Sequence, residues 1–373
     1  RATTIAQFEE LLAAMDSDAE WLDRFRPPAT LHFAGHMALE PGGAGERALA
    51  ARVDALLAEH SIGFAFGAAA SGCDVVIGER VLARGGELAL VLPSQQDHFE
   101  RQSVAPAGEA WVERYRALLD RATSVVAVGD GRETLHDPLA TYLAGQVALG
   151  DALTKASTLS SHAHQLIVLD NDGGGPHSRA LAAAWPLRER AHLLALDRES
   201  DVAALFAPDA DDPARRLAFP LAIRLNMRGG DSAAIARQRE PVWRALAAVS
   251  STAVRAVPEG WDVLAESAGE AARLAQEIMS ACAAGPGRMP SIGLSAGIVL
   301  AIDDRAAGHV VPIGPAVAQA GRMAQIAPGG AILASQHFAA VLAASGETAL
   351  RSEYYHGGEG GPADGVYLIV PRG

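Results

Sequence analysis

A change of rhythm near the middle of this 373-residue chain restricts its fold more than any other feature. From Thr30 to Asp197, short apolar runs alternate with helical stretches. The runs are Leu31–Phe33, Gly63–Phe66, Glu87–Leu92, Ser124–Val128, Gln165–Leu169 and His192–Leu196. Most lack an in/out pattern, as strands buried on both faces do, and the alternation calls for a parallel, doubly wound sheet of the Rossmann-like α/β class. Helices are expected near Gly45–His60, Asp74–Arg84, Glu109–Arg121, Pro138–Ala156 and Ser178–Arg190. The stretch Asp197–Asp212, rich in Asp, Ala and Pro, reads as an exposed acidic linker. Beyond it the order is strand (Ala218–Met227), long helix (Ser232–Val249), two adjacent strands (Ala253–Val257 and Trp261–Glu266), helix (Gly269–Ala283) and strand (Ile292–Ile302). A helix at Pro315–Ile326 and three more strands follow. Adjacent strands require a mixed α+β domain, ferredoxin-like in outline. The expected division is an N-terminal helical extension (1–27), a Rossmann-like domain (28–198), a linker (199–214) and a second domain (215–373).

With 49% apolar and 20% charged residues the chain is globular, and its formal charge of -13 repels polyphosphate backbones, which argues against nucleic-acid binding. Two cysteines, Cys73 and Cys282, cannot build a disulfide framework and fit a reducing, cytoplasmic setting. No run is long and apolar enough for a membrane span, and a start at Arg1 rather than Met fits a trimmed chain or fragment.

In a doubly wound sheet, ligands bind beyond the carboxyl ends of the strands, where glycines admit close approach and helix N-termini favour anions. The features at that edge are Gly35-His36, the turn Gly67–Asp74 with Ser71 and Gly72, the polar run Ser94–Phe99, and Asp170 with Gly173, Gly174 and Gly175. Asp74 either caps its helix or touches a ligand. His36 reads as a hydrogen-bonded strand-end residue, since no second ligand stands at metal spacing, and no metal site is assigned. Phe33–His36, Gly67–Asp74, Glu79 and Leu92-Pro93 together resemble the Rossmann-like SLOG superfamily over about residues 28–197, in a pattern typical of bacterial proteins. That resemblance implies a nucleotide-derived ligand, with the Gly67–Asp74 turn on phosphate or ribose and Glu79 facing the same pocket.

The second half is similar to the class III adenylate/guanylate cyclase domain. Ile292–Val299 is similar to the family's R-I-G-L-H-x-G strand, Ile313–Arg322 to its G-x-x-V-N-x-A-A-R helix, and Pro328–Ser335 to P-G-x-I-x-V-S. The resemblance implies two metal ions held by two carboxylates, with Mg2+ or Mn2+ as cofactor only if the site is active. Against that pattern, Asn226 stands at or near the first metal Asp, and a neutral amide is a poor ligand for a hard cation. Arg255 replaces the base-reading Lys, Val311 the base-reading Asp and Ala318 the transition-state Asn. Glu259 or Asp262 could supply a carboxylate, with Pro258 standing where the family's hairpin has Gly, and Arg322 is the one phosphate-contacting position retained. The expectation is a nucleotide-binding signalling protein with an inactive cyclase-like domain, a pseudoenzyme that pairs as a homodimer through that domain. An active divergent cyclase or a nucleotide-processing hydrolase is the alternative.

Overall fold

Each half of the chain closes its own core. The computed structural model describes residues 2–131, 137–199, 212–225, 232–247, 253–284, 288–304, 309–355 and 365–372. It divides into two compact units, Arg1–Asp209 and Ala210–Gly373.

In the first unit, helix α1 (Ala2–Ala14) precedes β1 (Ala29–Ala34), α2 (Ala44–Glu59), β2 (Ile62–Gly67), α3 (Cys73–Ala83) and β3 (Glu87–Leu92). Then come α4 (Gln96–Ser103), α5 (Glu109–Arg121), β4 (Ser124–Ala127), α6 (Pro138–Leu159), β5 (Ala163–Leu169), α7 (Pro176–Ala184) and β6 (Ala191–Ala195). All six strands are parallel in the order β4-β3-β2-β1-β5-β6. Strand order reverses between β1 and β5, which makes their carboxyl ends the topological switch point. The core joins Leu31 and Phe33 of β1, Val75 to Ile77 of α3, Leu88 and Leu90 of β3, and Trp111 and Tyr115 of α5. Helix α3 is apolar on most of its surface because it is nearly enclosed between the sheet, α2 and α5. The polar run after β3, given no element in the sequence reading, leads into α4, whose Phe99 packs inward while His98 and Gln102 face the strand ends.

The second unit runs β7 (Arg215–Arg224), α8 (Ser232–Ala247), β8 (Ala253–Val257), β9 (Gly260–Ala265), α9 (Ala268–Ala283), β10 (Ser291–Leu294), β11 (Gly297–Asp304) and β12 (His309–Ile313). It continues through α10 (Pro315–Ile326), β13 (Ile332–Ser335), α11 (Gln336–Ala344), β14 (Leu350–Tyr354) and β15 (Val366–Pro371). Strands β8-β9-β7-β10 lie side by side, the order of a ferredoxin-like βαββαβ core. The single strand expected over Ile292–Ile302 is two: β10 pairs with Leu221–Arg224 of β7, and β11 with Arg215–Ala218. The break falls at Ser295, whose N–H donates to the carbonyl of Pro220, a strand residue with no N–H of its own. Helix α10 lies against β7 and β10 so closely that Ala222, Ala320 and Ala324 pack together.

Candidate functional site

In the first unit, the switch point is filled by the chain itself. Asp170, just past β5, accepts from the Gly174 N–H (2.8 Å) and from Arg198 Nη1 (3.1 Å). These contacts, the backbone bond first, hold its carboxyl below the usual range. Glu199 reaches back to the start of α2, accepting from the N–H of Glu40 (3.0 Å) and of Gly45 (2.7 Å). Its carboxyl is lowered in consequence, so an internal anion occupies the helix N-terminus that the fold offers to a ligand. His36 accepts from the Ala38 N–H at Nδ1 and makes its other bond, from Nε2, to the Leu196 carbonyl (3.1 Å). Both ring nitrogens thus have partners within the chain, and burial pushes the pKa down.

Asp74 is an internal staple. One oxygen accepts from the Gly35 N–H (2.9 Å) and the other from the Ala70 N–H (3.3 Å), which ties the end of β1 to the β2–α3 turn. It is 5% exposed, and loss of hydration raises its pKa to about 7. The turn glycines have packing roles. A Cβ on Gly35 would stand 2.4 Å from that of Cys73, and one on Gly67 would stand 2.7 Å from the Phe33 ring. Gly72 has φ +82° and lies against the Met37 backbone. Ser71 is 1% exposed, with an Oγ that makes no hydrogen bond. Only Gly173 and Gly175 of the candidate glycines have open space around them. Glu79, expected to face the pocket, instead places both oxygens on Arg114 of α5 (2.6 and 2.8 Å), which also bonds Glu46. A cavity at this edge lies further along the sheet, by the ends of β3 and β4. It measures about 70 Å³ and is lined by Ser94, Gln95, His98, Asp130, Asp137 and Thr141.

In the second unit, several predicted positions converge. Pairing sets Ala222 beside Asp262, and Asp262 beside Arg255, on one face of the sheet. Gly293 lies beside Ala222 and faces α10. Between the β8–β9 hairpin and α10 lies a cleft of about 280 Å³, mostly apolar, lined by Ala222, Arg255, Asp262, Pro312 and Val317 among others. Arg224 spans the hairpin, with Nη1 on the carbonyls of Ile223 and Trp261 (3.1 Å each) and Nη2 on Asp262 Oδ1 (2.6 Å). The Asp262 carboxylate is thus already neutralised by a cation of its own chain.

Glu259 sits exposed in the hairpin turn, and its carbonyl accepts from the Leu225 N–H (2.8 Å). Pro258, at the position where the family's hairpin has Gly, is accommodated in that turn. Val257 pairs with Gly260 across a two-residue loop, and Gly260 supplies the φ of +153°. Val311 is half-buried on β12, opposite Ile302. Ala318 and Arg322 are exposed on α10; Arg322 bonds Gln319 of the same helix, and neither lines the cleft. Asn226 lies outside the described residues.

Sequence reasoning missed Arg224 as the partner of Asp262, and it missed a histidine cluster. His60, His164 and His192 carry ring nitrogens that all lie within 4.8 Å of one another. Burial, then the neighbouring His60 and His192, pushes His164 down to about 3. No sequence spacing announces this group. The one available signal was that His164 and His192 each stand second in their strands.

No protein-family model matches the chain, and no curated protein matches it. Among solved structures it is similar to the catalytic core of a rhodopsin-guanylyl cyclase with converted specificity in complex with ATPalphaS, at 15% identity and TM-score 0.35, covering 43% of this chain and 99% of that one. It is similar to the guanylate cyclase domain of RhGC from Catenaria anguillulae in complex with GTP, at 16% identity and TM-score 0.35, covering 44% and 100%. A third is an adenylate/guanylate cyclase/hydrolase from Silicibacter pomeroyi, at 20% identity and TM-score 0.34, covering 42% and 98%.

Proposed function

We propose that this chain is a nucleotide-binding regulatory protein whose second unit holds a nucleotide in the cleft beside α10 without cyclising it. Of the segments similar to class III cyclases, the one that runs from the end of β12 along α10 lines this cleft, through Val317 and Ala320. The observation that carries the reading is the Arg224–Asp262 ion pair, with nitrogen and oxygen 2.6 Å apart. Two-metal cyclisation needs two carboxylates open to cations. Here the cleft carboxylate is bound to a guanidinium, and Ala318, at the position where the resemblance expects the transition-state Asn, has no side-chain donor for a transferring phosphoryl group. What remains suits recognition: apolar walls from Pro312 and Val317 for a base, and the Arg255 guanidinium for an anionic group.

Incubation with ATP or GTP and Mn2+ is expected to give no cyclic product. The same nucleotides should raise the melting temperature, because a ligand at ten times its dissociation constant adds about 1.4 kcal/mol to the folded state. Arg255→Ala should abolish that shift. Cyclic product that disappears in Glu259→Ala would overturn the reading in favour of an active divergent cyclase.

The resemblance of the first unit to SLOG modules supports a sensory role for it. A nucleotide-derived ligand entering the switch point there has to displace Glu199 from the start of α2. Pairing of two copies through the second unit is supported by exposed Ile302, Ile313 and Ile326 (43, 51 and 47% exposed) on β11, β12 and α10. Light scattering at micromolar concentration should report a dimer, and a monomer alone would count against the pairing. Among the described residues no helix is long and apolar enough to cross a membrane. Two free, buried cysteines support a reducing compartment.

A further inference from the structure

We propose that His60, His164 and His192 form a binding site for one divalent transition-metal ion of the zinc type, at the amino-terminal edge of the first sheet. His60 caps the C-terminus of α2, and His164 and His192 stand near the starts of β5 and β6. This edge is opposite the strand ends where the fold presents ligand sites, so the cluster is independent of the switch point.

The spacing of the nitrogens is close to what such an ion requires, and the layered rings must turn for their in-plane lone pairs to converge on it. His164 Nδ1 and His192 Nε2 are 3.1 Å apart. Two nitrogens on one tetrahedral zinc, at bonds of about 2.0–2.1 Å, stand about 3.3 Å from each other. The third nitrogen has to close in from within 4.8 Å. The rings are layered, His60 lying 4.4 Å from His164 and 4.8 Å from His192 between centroids. Three imidazoles crowded together, with one hydrogen bond between two of them, are a polar cluster that offers nitrogen donors to a cation.

The ring that donates between His164 and His192 must carry its proton on its other nitrogen when the metal binds. That is a change of tautomer with no net proton released. An all-imidazole donor set selects Zn2+, Co2+, Ni2+ or Cu2+ and disfavours Mg2+ and Ca2+, which prefer oxygen. Three protein ligands leave a fourth position for water. The ion would fasten the end of α2, which leads into β2, to β5 and β6 on the other side of β1.

The test uses the full chain without a histidine tag. Titration with Co2+ alone, followed by visible absorption, should saturate at one equivalent and give bands that one equivalent of Zn2+ removes. Zn2+ should raise the melting temperature, and Mg2+ should not. His60→Gln and His192→Gln, both at partly exposed positions, should each weaken Co2+ binding at least tenfold, whereas His337→Gln should leave it unchanged. Because the stoichiometry and spectrum come from the unsubstituted protein, the test stands even if a variant fails to fold. Absence of saturable Co2+ or Zn2+ binding, or binding that survives both substitutions at unchanged affinity, overturns the proposal.

Discussion

Gly293→Ala is expected to destabilise the second unit by about 3 kcal/mol or more, at the upper end of what overpacking costs. The added Cβ would stand 2.1 Å from the Ala320 carbonyl oxygen and 2.2 Å from the Ala324 nitrogen. Both are backbone atoms of α10, so no side-chain rotation relieves the overlap and the helix itself must move. Moving α10 also breaks the Ala222, Ala320 and Ala324 contact and opens the cleft. Gly321, on the same helix, supplies the control, since a Cβ there meets nothing within 4 Å. Gly321→Ala should therefore be neutral or stabilising by up to about 1 kcal/mol, the helix-propensity difference between the two residues. Urea unfolding followed by circular dichroism compares them. Equal midpoints for the two variants would refute the close helix–strand packing described for this unit.

Asp74→Ala should cost about 2–4 kcal/mol, because it leaves the N–H groups of Gly35 and Ala70 without their acceptor in a largely dry site. The same residue should make stability depend on pH. In the folded chain its carboxyl keeps a proton up to pH about 7, whereas once unfolded it releases it near 3.8. Between those values folding takes up a proton, so the contribution is complete below pH about 4 and is lost as pH rises through 7. A shift of this size corresponds to a few kcal/mol, on the order of 1.4 kcal/mol per pH unit over that window. Asp74→Asn keeps the volume and one acceptor but cannot ionise. Its stability should fall below that of the parent at pH 4 to 5 and approach it towards pH 8. Parallel pH profiles for parent and Asp74→Asn would show that Asp74 stays ionised throughout.

Much of the architecture was readable from local pattern. Leu31, Phe33, Leu88, Leu90, Leu166 and Val168 lie on strands buried on both faces, and such strands need no alternation. The break at Ser295 and helix α4 were not readable. The first depends on which stretch of β7 each neighbour meets. The second depends on whether Phe99, one aromatic in a polar run, finds a core to enter.

The candidate site divides along a similar line. Sequence placed Gly35, Gly67, Asp74 and Asp170 at the strand ends, and Arg255 and Asp262 on adjacent strands, because each position follows from its own element. It could not say whether those groups are available. Asp74 is taken by Gly35 and Ala70, Asp170 by Arg198, Glu79 by Arg114 and Asp262 by Arg224, partners up to 39 residues away. An ion pair or hydrogen bond forms wherever topology brings donor and acceptor within about 3 Å, and no local spacing encodes that distance. The three histidines are the same case in reverse: nothing in the sequence links them, and only the pairing of β5 with β6 beneath the end of α2 makes them a group. The sequence by itself determined the layers, since burial is written into each element's own periodicity. The tertiary structure decided which polar groups neutralise one another and which are left to meet a ligand.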